Sequence, residues 1–291
     1  VSWTGGIDVI DAGGIGGAGA IDLQGVISGA SGTLAKVGAG TSTLSGANTF
    51  AGTYSVEQGT LIVGPGGSVA SATGLTTSPG ATLDLTAGGP YPVPAAQVLG
   101  GSGTVLGSVT VAGGGTLSPG QSPGTLAISQ GIVFGAGGNY DWQMVSTAGT
   151  AGVGWDTVTT SGTLAITAAS GDPFAVNLWS LASTNPDVNG PVVDFNASQA
   201  GTWTIARASG GITGFAADAF VINTAAAGGS PGFTNDLGGG TFSLAVSGND
   251  LNLVFAPGSG PQDIVINVPS GSQTQAQAGY STIGSAASVT K

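Results

Sequence analysis

The chain contains no cysteine and no histidine among its 291 residues, and its cationic side chains are limited to Lys36, Arg207 and Lys291. These absences exclude zinc sites built on cysteine or histidine, cysteine–histidine and serine–histidine–aspartate nucleophiles, and histidine acid–base catalysis. The formal net charge of −11 argues against nucleic acid as a partner, because its phosphates must be met by lysine and arginine. Membrane insertion is not expected, since no apolar run reaches about 18 residues.

Glycine, in contrast, supplies 57 residues, far above its usual share of about 7%. Charged residues make up 6% of the chain, against about 25% in ordinary soluble domains. Hydrophobic residues still account for 41%, which is enough apolar surface to offset the entropy of an ordered chain. A solenoid that grows by adding coils suits this composition and uses the whole length as one body.

A short alternating segment, introduced by a small residue and threonine, recurs along the chain. Its copies are Gly32–Leu34, Gly59–Val63, Ala81–Leu85, Gly103–Val105, Gly115–Leu117, Gly124–Leu126 and Gly162–Leu164. The central apolar positions 34, 61, 83 and 105 are 27, 22 and 22 residues apart, the size of one β-helix coil. Alternation places Leu61 and Val63 on one face of a strand and Thr60 and Ile62 on the other. The sequence therefore predicts an all-β, parallel β-helix.

Three stretches follow from this pattern. Residues 1–139 are the richest in repeats and glycine, and residues 140–256 are expected to continue the coils with longer loops. Residues 257–291 begin with a Pro/Gly linker and form an extended tail, because Pro and Gly interrupt regular structure strongly.

The sequence of residues 34–56 is LAKVGAGTSTLSGANTFAGTYSV, and GTLIV follows at 59–63. Together these residues closely resemble the passenger-associated repeat of autotransporters, whose pattern is Leu-x-Lys-x-Gly-x-Gly-Thr, then Leu-x-Gly-x-Asn-Thr-aromatic-x-Gly, then Val and Gly-Thr-Leu. Tyr54 departs from the pattern, which usually has a small residue or threonine at this position. Residues 101–255 also resemble the terminal region of bacterial surface proteins that carry these repeats. The resemblance implies a right-handed parallel β-helix on an extracellular fibre or adhesin, and it transfers no catalytic residue.

Acidic side chains are the most numerous reactive groups. Asp141 and Asp156 flank the glycine-rich segment 149–154, and Asp187 and Asp194 lie close together in the sequence. Calcium needs roughly six to eight oxygen ligands, which carboxylates and backbone carbonyls supply. The favoured interpretation is that these residues bond their own backbone at turns, with calcium as the alternative and no other cofactor expected.

Two further alternatives concern sugars. Two carboxylates without histidine suffice for a glycoside hydrolase, although nothing in the sequence pairs them. The tryptophans after Trp3 suit either a sugar-stacking surface or core packing, and packing is favoured because each tryptophan buries a large apolar area. These four residues are Trp142, Trp155, Trp179 and Trp203.

The C-terminal tail contains a strong strand pattern at 263–268, with Ile264, Ile266 and Val268 on one side. An extended segment on a flexible linker is able to add to a neighbour's open sheet edge. Residues 287–291, ASVTK, match the repeat opening GTLAK at 32–36. Either the chain is cut from a longer array, or the tail completes the first coil of the next subunit in a head-to-tail filament.

These observations predict an extracellular structural protein at the bacterial cell surface. The first interpretation is a homo-oligomeric fibre subunit assembled through its ends or tail. The alternatives are a monomeric adhesin passenger that contacts a surface glycan or host surface, and a polysaccharide-active enzyme.

Overall fold

The computed structural model describes residues 1–184 and 187–258, together with the backbone of two short strands at Ile264–Val265 and Val289–Thr290. Within these residues the chain forms β-strands and two 3-10 turns, at Thr86–Gly88 and Ala217–Ala219. In the described part, no helix is long and apolar enough to cross a membrane.

The largest sheet, called the first sheet, has 11 strands, and all but the last two run parallel to their neighbours. Its strands, in spatial order, are Ser2–Trp3, Ala20–Leu23, Thr41–Leu44, Thr60–Val63, Thr82–Asp84, Thr104–Leu106, Thr125–Ile128, Thr157–Thr160, Gly201–Ala208, Asp250–Ala256 and Thr241–Ser247.

The second sheet has 10 strands. Its strands are Ala12–Gly16, Thr33–Val37, Thr53–Val56, Gly74–Thr77, Val98–Gly101, Thr116–Pro119, Asn139–Met144 and Phe174–Thr184, the last of which pairs with both Asp187–Asn189 and Phe220–Asn223.

The third sheet has 5 parallel strands, and a two-stranded pair precedes it near the N-terminus. The third-sheet strands are Tyr91–Val93, Ser108–Val111, Gly131–Phe134, Leu164–Ile166 and Ile212–Thr213, and the pair is Ile7–Asp8 with Ile27–Ser28.

The chain visits these sheets in a fixed order, from the first sheet, through the third where it is present, to the second, and then back to the first. Each such passage is called a coil here. Neighbouring coils pair in parallel along each sheet, which confirms the predicted parallel β-helix. The one departure from parallel stacking in the first sheet is the hairpin at its C-terminal end.

Alternation along the strands builds the core, as the sequence predicted. Register places Leu34, Tyr54, Leu75 and Leu99 in one stacked inward column of the second sheet. All four are buried, with Leu75 and Leu99 at 0% exposure. Full burial of a leucine side chain stabilises the fold by about 1.5–3 kcal/mol, so each added coil extends the core and strengthens it.

The corner between a second-sheet strand and the next first-sheet strand is a tight turn in the early coils, called the glycine corner. Its turns are residues 17–19, 38–40, 57–59, 78–81, 102–103 and 120–124. Successive turns stack backbone on backbone: a Cβ on Gly40 would lie 2.0 Å from the carbonyl oxygen of Gly19, and one on Gly59 would lie 2.3 Å from that of Gly40. Gly59 also has φ +65°, a conformation that glycine adopts without strain.

Lys36 ties two successive turns of the glycine corner together. Its side chain is 1% exposed, and Nζ donates hydrogen bonds to the carbonyl oxygens of Val37 at 3.1 Å, Gly38 at 2.7 Å and Gln58 at 2.9 Å. Burial lowers the pKa of Lys36. The lysine of the repeat pattern therefore has a structural role, because it supplies donors for carbonyls of two neighbouring coils.

The C-terminal end of the first sheet is covered by a hairpin. Strand Asp250–Ala256 runs antiparallel to Gly201–Ala208, and Thr241–Ser247 pairs antiparallel on its outer side. This reversal differs from the expectation that residues 140–256 continue as coils throughout. A reversed hairpin suits this position because it blocks the strand edge against a further parallel coil.

Beyond Gly258, the described part of the tail is limited to the backbone of two short strands. Ile264–Val265 pairs in parallel with Val289–Thr290. Ile266 and Val268 lie outside the described residues. The predicted role of these apolar residues in assembly therefore stays a prediction.

Candidate binding surface

Long loops replace the tight turns at the same corner in the last three coils. The loops are residues 145–156, the segment between Thr184 and Gly201, and residues 224–240. Their described residues, 145–156, 187–200 and 224–240, are called the loop cluster. Since loops on a rigid scaffold are the usual place for recognition, this corner is the first candidate for a functional site.

Asp194 holds the first loop against the second. Its carboxylate accepts hydrogen bonds from Ser146 Oγ at 2.7 Å and from the backbone N–H groups of Thr147 at 2.8 Å and Ala148 at 3.2 Å. Desolvation raises the pKa of Asp194, but these donors outweigh it and hold the pKa below its ordinary value. The charged carboxylate thus acts as a clamp between two loops that are far apart in sequence.

Asn235 joins the second loop to the third. Its Oδ1 accepts the N–H of Val192 at 2.8 Å, and its Nδ2 donates to the carbonyl oxygen of Val192 at 2.9 Å. One side-chain amide therefore satisfies both backbone groups of a residue in a neighbouring loop. This reciprocal pairing orients the two loops relative to each other.

Asp141 anchors the third loop to the second sheet. Its Oδ2 accepts the N–H of Gly229 at 3.0 Å, and its Oδ1 accepts Asn177 Nδ2 at 2.7 Å. Asn177 in turn accepts Asn223 Nδ2 at 2.8 Å, which forms a polar ladder across three neighbouring strands. Burial raises the pKa of Asp141, and the bonds from Asn177 and Gly229 oppose that shift.

Asp156 anchors the end of the first loop and is fully buried. Its two carboxylate oxygens accept the backbone N–H groups of Gly124 at 2.8 Å and Gln143 at 2.9 Å. Burial raises the pKa of Asp156 well above its ordinary value, and the nearby charge of Asp187 adds to the shift. Asp187 accepts the hydroxyl of Ser122 at 2.5 Å.

The four carboxylates named as calcium candidates thus each engage protein donors, mostly backbone N–H groups. Among the residues described, no group of three acidic side chains is arranged to hold a metal ion. Asp156 lies near Asp187 in the structure. Asp141 and Asp194 each contact other residues and do not join that pair. Calcium binding at these residues stays a prediction.

Three of the four tryptophans pack, as the favoured interpretation predicted: Trp142, Trp155 and Trp203 are 0%, 8% and 4% exposed. Their Nε1 atoms donate to the carbonyl oxygens of Asp156, Thr204 and Thr147, respectively. Trp179 is half-buried, and its Nε1 atom is buried without a hydrogen-bond partner among the described residues.

Two grooves open beside the first loop. One, called the threonine groove, has a volume of about 440 Å³ and is lined by Thr125, Gly149, Thr150, Ala151, Trp155, Thr157, Thr159, Thr204 and Arg207. The other, of about 400 Å³, lies between the first and second loops and includes Asn196, Gln199 and Thr202. Both border the strand Gly201–Ala208. The lining of the threonine groove is mainly apolar with hydroxyl groups set into it, and the lining of the other groove is mainly polar.

Sequence analysis missed the residues that organise this surface, chiefly Asn177, Asn223 and Asn235. Their partners lie 36 to 46 positions away, so no local motif marks them. The uneven spacing of the strand patterns after residue 139 was the available signal. It indicates longer loops but not the corner at which they meet.

Two comparisons with known proteins show what this chain is similar to. Residues 34–63 match the family described as passenger-associated-transport-repeat, which confirms the repeat identified in the sequence. A stretch of 96 residues is 41% identical to the Adhesin BmaC autotransporter of Brucella suis biovar 1 (strain 1330). That stretch covers 33% of this chain and 2% of that protein, so the match spans a small share of the relative.

Proposed function

We propose that this chain, which carries a passenger-associated transport repeat, is an adhesin-type passenger displayed on the bacterial cell surface. The loop cluster is its contact surface. One observation carries the proposal: the three longest connections between strands in the described residues lie at the same corner, where Asp194 and Asn235 tie the loops into one unit. The repeat and the partial similarity to a protein named as an adhesin supply the class.

The second candidate function is a fibre subunit assembled through its ends or tail, and it is less well supported than the adhesin. The relative is named as an adhesin, and a hairpin covers the C-terminal edge of the first sheet. The fibre candidate is supported by the strand pair Ile264–Val265 and Val289–Thr290, in which two segments of the tail pair with each other in parallel. Light scattering of the chain with and without residues 261–291 tests it, since a fibre subunit loses assembly on deletion.

Catalysis is not part of the proposal. Asp141 and Asp156 are 6% and 0% exposed, and backbone N–H groups occupy carboxylate oxygens of both. A glycoside hydrolase needs two carboxyl groups facing a substrate. Neither carboxylate lines the two grooves beside the first loop.

Adhesion of bacteria that display the full chain tests the proposal, with cultured epithelial cells and matrix-coated wells as targets. Asn235→Ala releases the second loop from the third, and we expect it to reduce adhesion at least severalfold. Asn48→Ala is the matched control, because Asn48 also bridges two backbone segments, through Ile27 N and the carbonyl oxygen of Ser68, but in the early coils. Adhesion that falls equally in both variants, or in neither, contradicts the loop cluster as the contact surface.

A further inference from the structure

The threonine groove has the chemistry of a site for an uncharged oligosaccharide, and we propose that it binds one. This inference rests on the proposed function, because the sugar chain is a target that a surface-displayed adhesin meets. It goes further by naming the ligand class and the residues that recognise it.

Strand geometry places the hydroxyls of the groove on one face. Thr157 and Thr159 alternate with the inward-facing Val158 on one strand, and Thr125 pairs with Thr157 on the neighbouring strand. Neighbouring strands lie about 4.8 Å apart, and alternate residues of a strand lie about 6.6 Å apart, so these threonines form a small two-dimensional array. In the described residues, no hydrogen bond engages these three hydroxyls. Thr125 and Thr159 are partly exposed and offer a donor and acceptors to a ligand, whereas Thr157 lies buried beside them at 4% exposure.

A β-bulge brings the cationic side chain to the same face. The register of Gly201–Ala208 shifts between Thr204 and Ala206, so Thr204 and Arg207 both line the groove although an odd number of positions separates them. Arg207 Nε and Nη2 donate to the two carboxylate oxygens of Asp250 at 2.6 and 2.8 Å. The pair is neutral as a unit, yet it retains guanidinium N–H donors for a ligand.

Charge favours an uncharged ligand over an anionic one. The chain has a formal net charge of −11, and the one cation that lines the groove is already neutralised by Asp250. An anionic polymer would meet long-range repulsion without a free cation to offset it. Hydroxyls that both donate and accept hydrogen bonds suit the hydroxyls of a neutral sugar. The mainly apolar lining, to which the small exposed part of Trp155 contributes, suits its C–H groups.

The wall opposite the sheet is held in place before any ligand arrives. Gly149 has no side chain and Ala151 has only a methyl group, so a ligand is able to approach the backbone at these positions closely. The loop is fixed at its start by Asp194 and at its end by Trp155 Nε1, which donates to the carbonyl oxygen of Thr204 at 3.1 Å. A preformed groove avoids the entropy cost of ordering a loop on binding.

Isothermal titration calorimetry on the full chain tests this site, with cellohexaose, xylohexaose, mannohexaose and chitohexaose as neutral probes and hexagalacturonate as the anionic one. We expect at least one neutral probe to bind and the anionic probe to bind at least tenfold more weakly. Thr125→Val with Thr159→Val removes the two partly exposed hydroxyls while keeping side-chain shape and strand preference. This variant is expected to weaken binding at least tenfold.

The matched control is Thr43→Val with Thr60→Val, which removes two partly exposed hydroxyls from neighbouring strands of the same sheet, away from the groove. We expect it to leave affinity within twofold. The inference fails if no neutral probe binds, if the anionic probe binds as tightly, or if the two variants weaken binding equally. If bacteria that display the chain still adhere although the chain binds no sugar, the sugar-site inference is wrong and the proposed function is unaffected.

Discussion

The same corner of the solenoid is built in two ways at the two ends of the molecule. In the early coils, glycine turns stack so closely that backbone carbonyls occupy the space a side chain would need. In the last three coils the corner opens into loops, and polar side chains such as Asp194 and Asn235 replace backbone stacking as the connection between neighbours. The length of this corner therefore increases in the coils where a loop leaves the backbone stack.

The largest effect is expected from crowding the glycine corner. Gly40→Ala places a Cβ 2.0 Å from the carbonyl oxygen of Gly19, and two stacked backbones must separate to admit it. We expect the free energy of unfolding to fall by about 3 kcal/mol, as for severe overpacking. Urea unfolding followed by circular dichroism measures the change.

Gly248→Ala is the control for that substitution. Gly248 has φ +58° and no neighbouring heavy atom within 4 Å of a built Cβ. The substitution is therefore expected to lower the free energy of unfolding only through the strain of a left-handed backbone at alanine, by about 1–2 kcal/mol. A Gly40→Ala variant no less stable than Gly248→Ala contradicts backbone stacking as the requirement at the glycine corner.

Removing the lysine ammonium from the same corner is expected to have the next largest effect. Lys36→Met keeps the alkyl chain but leaves three carbonyl oxygens without their shared donor. We expect a loss of about 2 kcal/mol in the free energy of unfolding, because hydrogen bonds from charged donors exceed ordinary ones. An unchanged urea midpoint would show that water replaces the ammonium at no cost.

The pH dependence of stability tests the buried carboxylates that anchor the loop cluster. Burial raises the pKa of Asp156 from its ordinary value of 3.8, so the native state binds more protons than the unfolded state in the interval above 3.8. The free energy of unfolding therefore rises as pH falls through that interval, and Asp141 acts in the same direction. The effect is expected to be smaller than the two above, because backbone N–H donors offset part of the burial.

The measurement is the free energy of unfolding as a function of pH for the native chain and for Asp156→Asn. The variant is expected to lose part of the rise on acidification. Equal pH dependence in the two proteins would show that other groups produce it.

The smallest effect is expected from the exposed clamp. Asp194→Asn weakens the acceptor for the N–H groups of Thr147 and Ala148, and we expect a loss of about 1 kcal/mol or less in global stability. Because the folded pKa of Asp194 is lowered, its contribution is present above its ordinary pKa and disappears as pH falls through the lowered value. Hydrogen exchange at Thr147 and Ala148 should accelerate while Leu75 and Leu99 stay protected.

Much of the fold was predictable because it depends on local patterns. Alternation over Thr60–Val63 and glycine at each turn fix strands and corners within a few residues of one another. The C-terminal hairpin was also marked: Gly248–Asn249 between two alternating segments is a hairpin signal that the expectation of continued coils overlooked.

The candidate surface was less predictable for a physical reason. Its contacts join residues far apart in the chain, such as Asp141 with Gly229 and Thr147 with Asp194. The loops that meet are determined by the strand register along the whole solenoid. That register depends on the number of residues in each coil. Asp141 and Asp156 were named from the sequence as calcium candidates, and that prediction stays untested. Their partners are backbone N–H groups and, for Asp141, the side chain of Asn177, which no local motif reveals.

Hydroxyl-radical footprinting of the displayed chain, with and without a bound epithelial surface, tests the central claim most directly. The account predicts protection on binding at residues 145–156, 187–200 and 224–240 and in the threonine groove. It predicts unchanged labelling along the glycine corner, including residues 38–40 and 57–59. Protection confined to the early coils, with the loop cluster labelled equally in both states, would contradict the account.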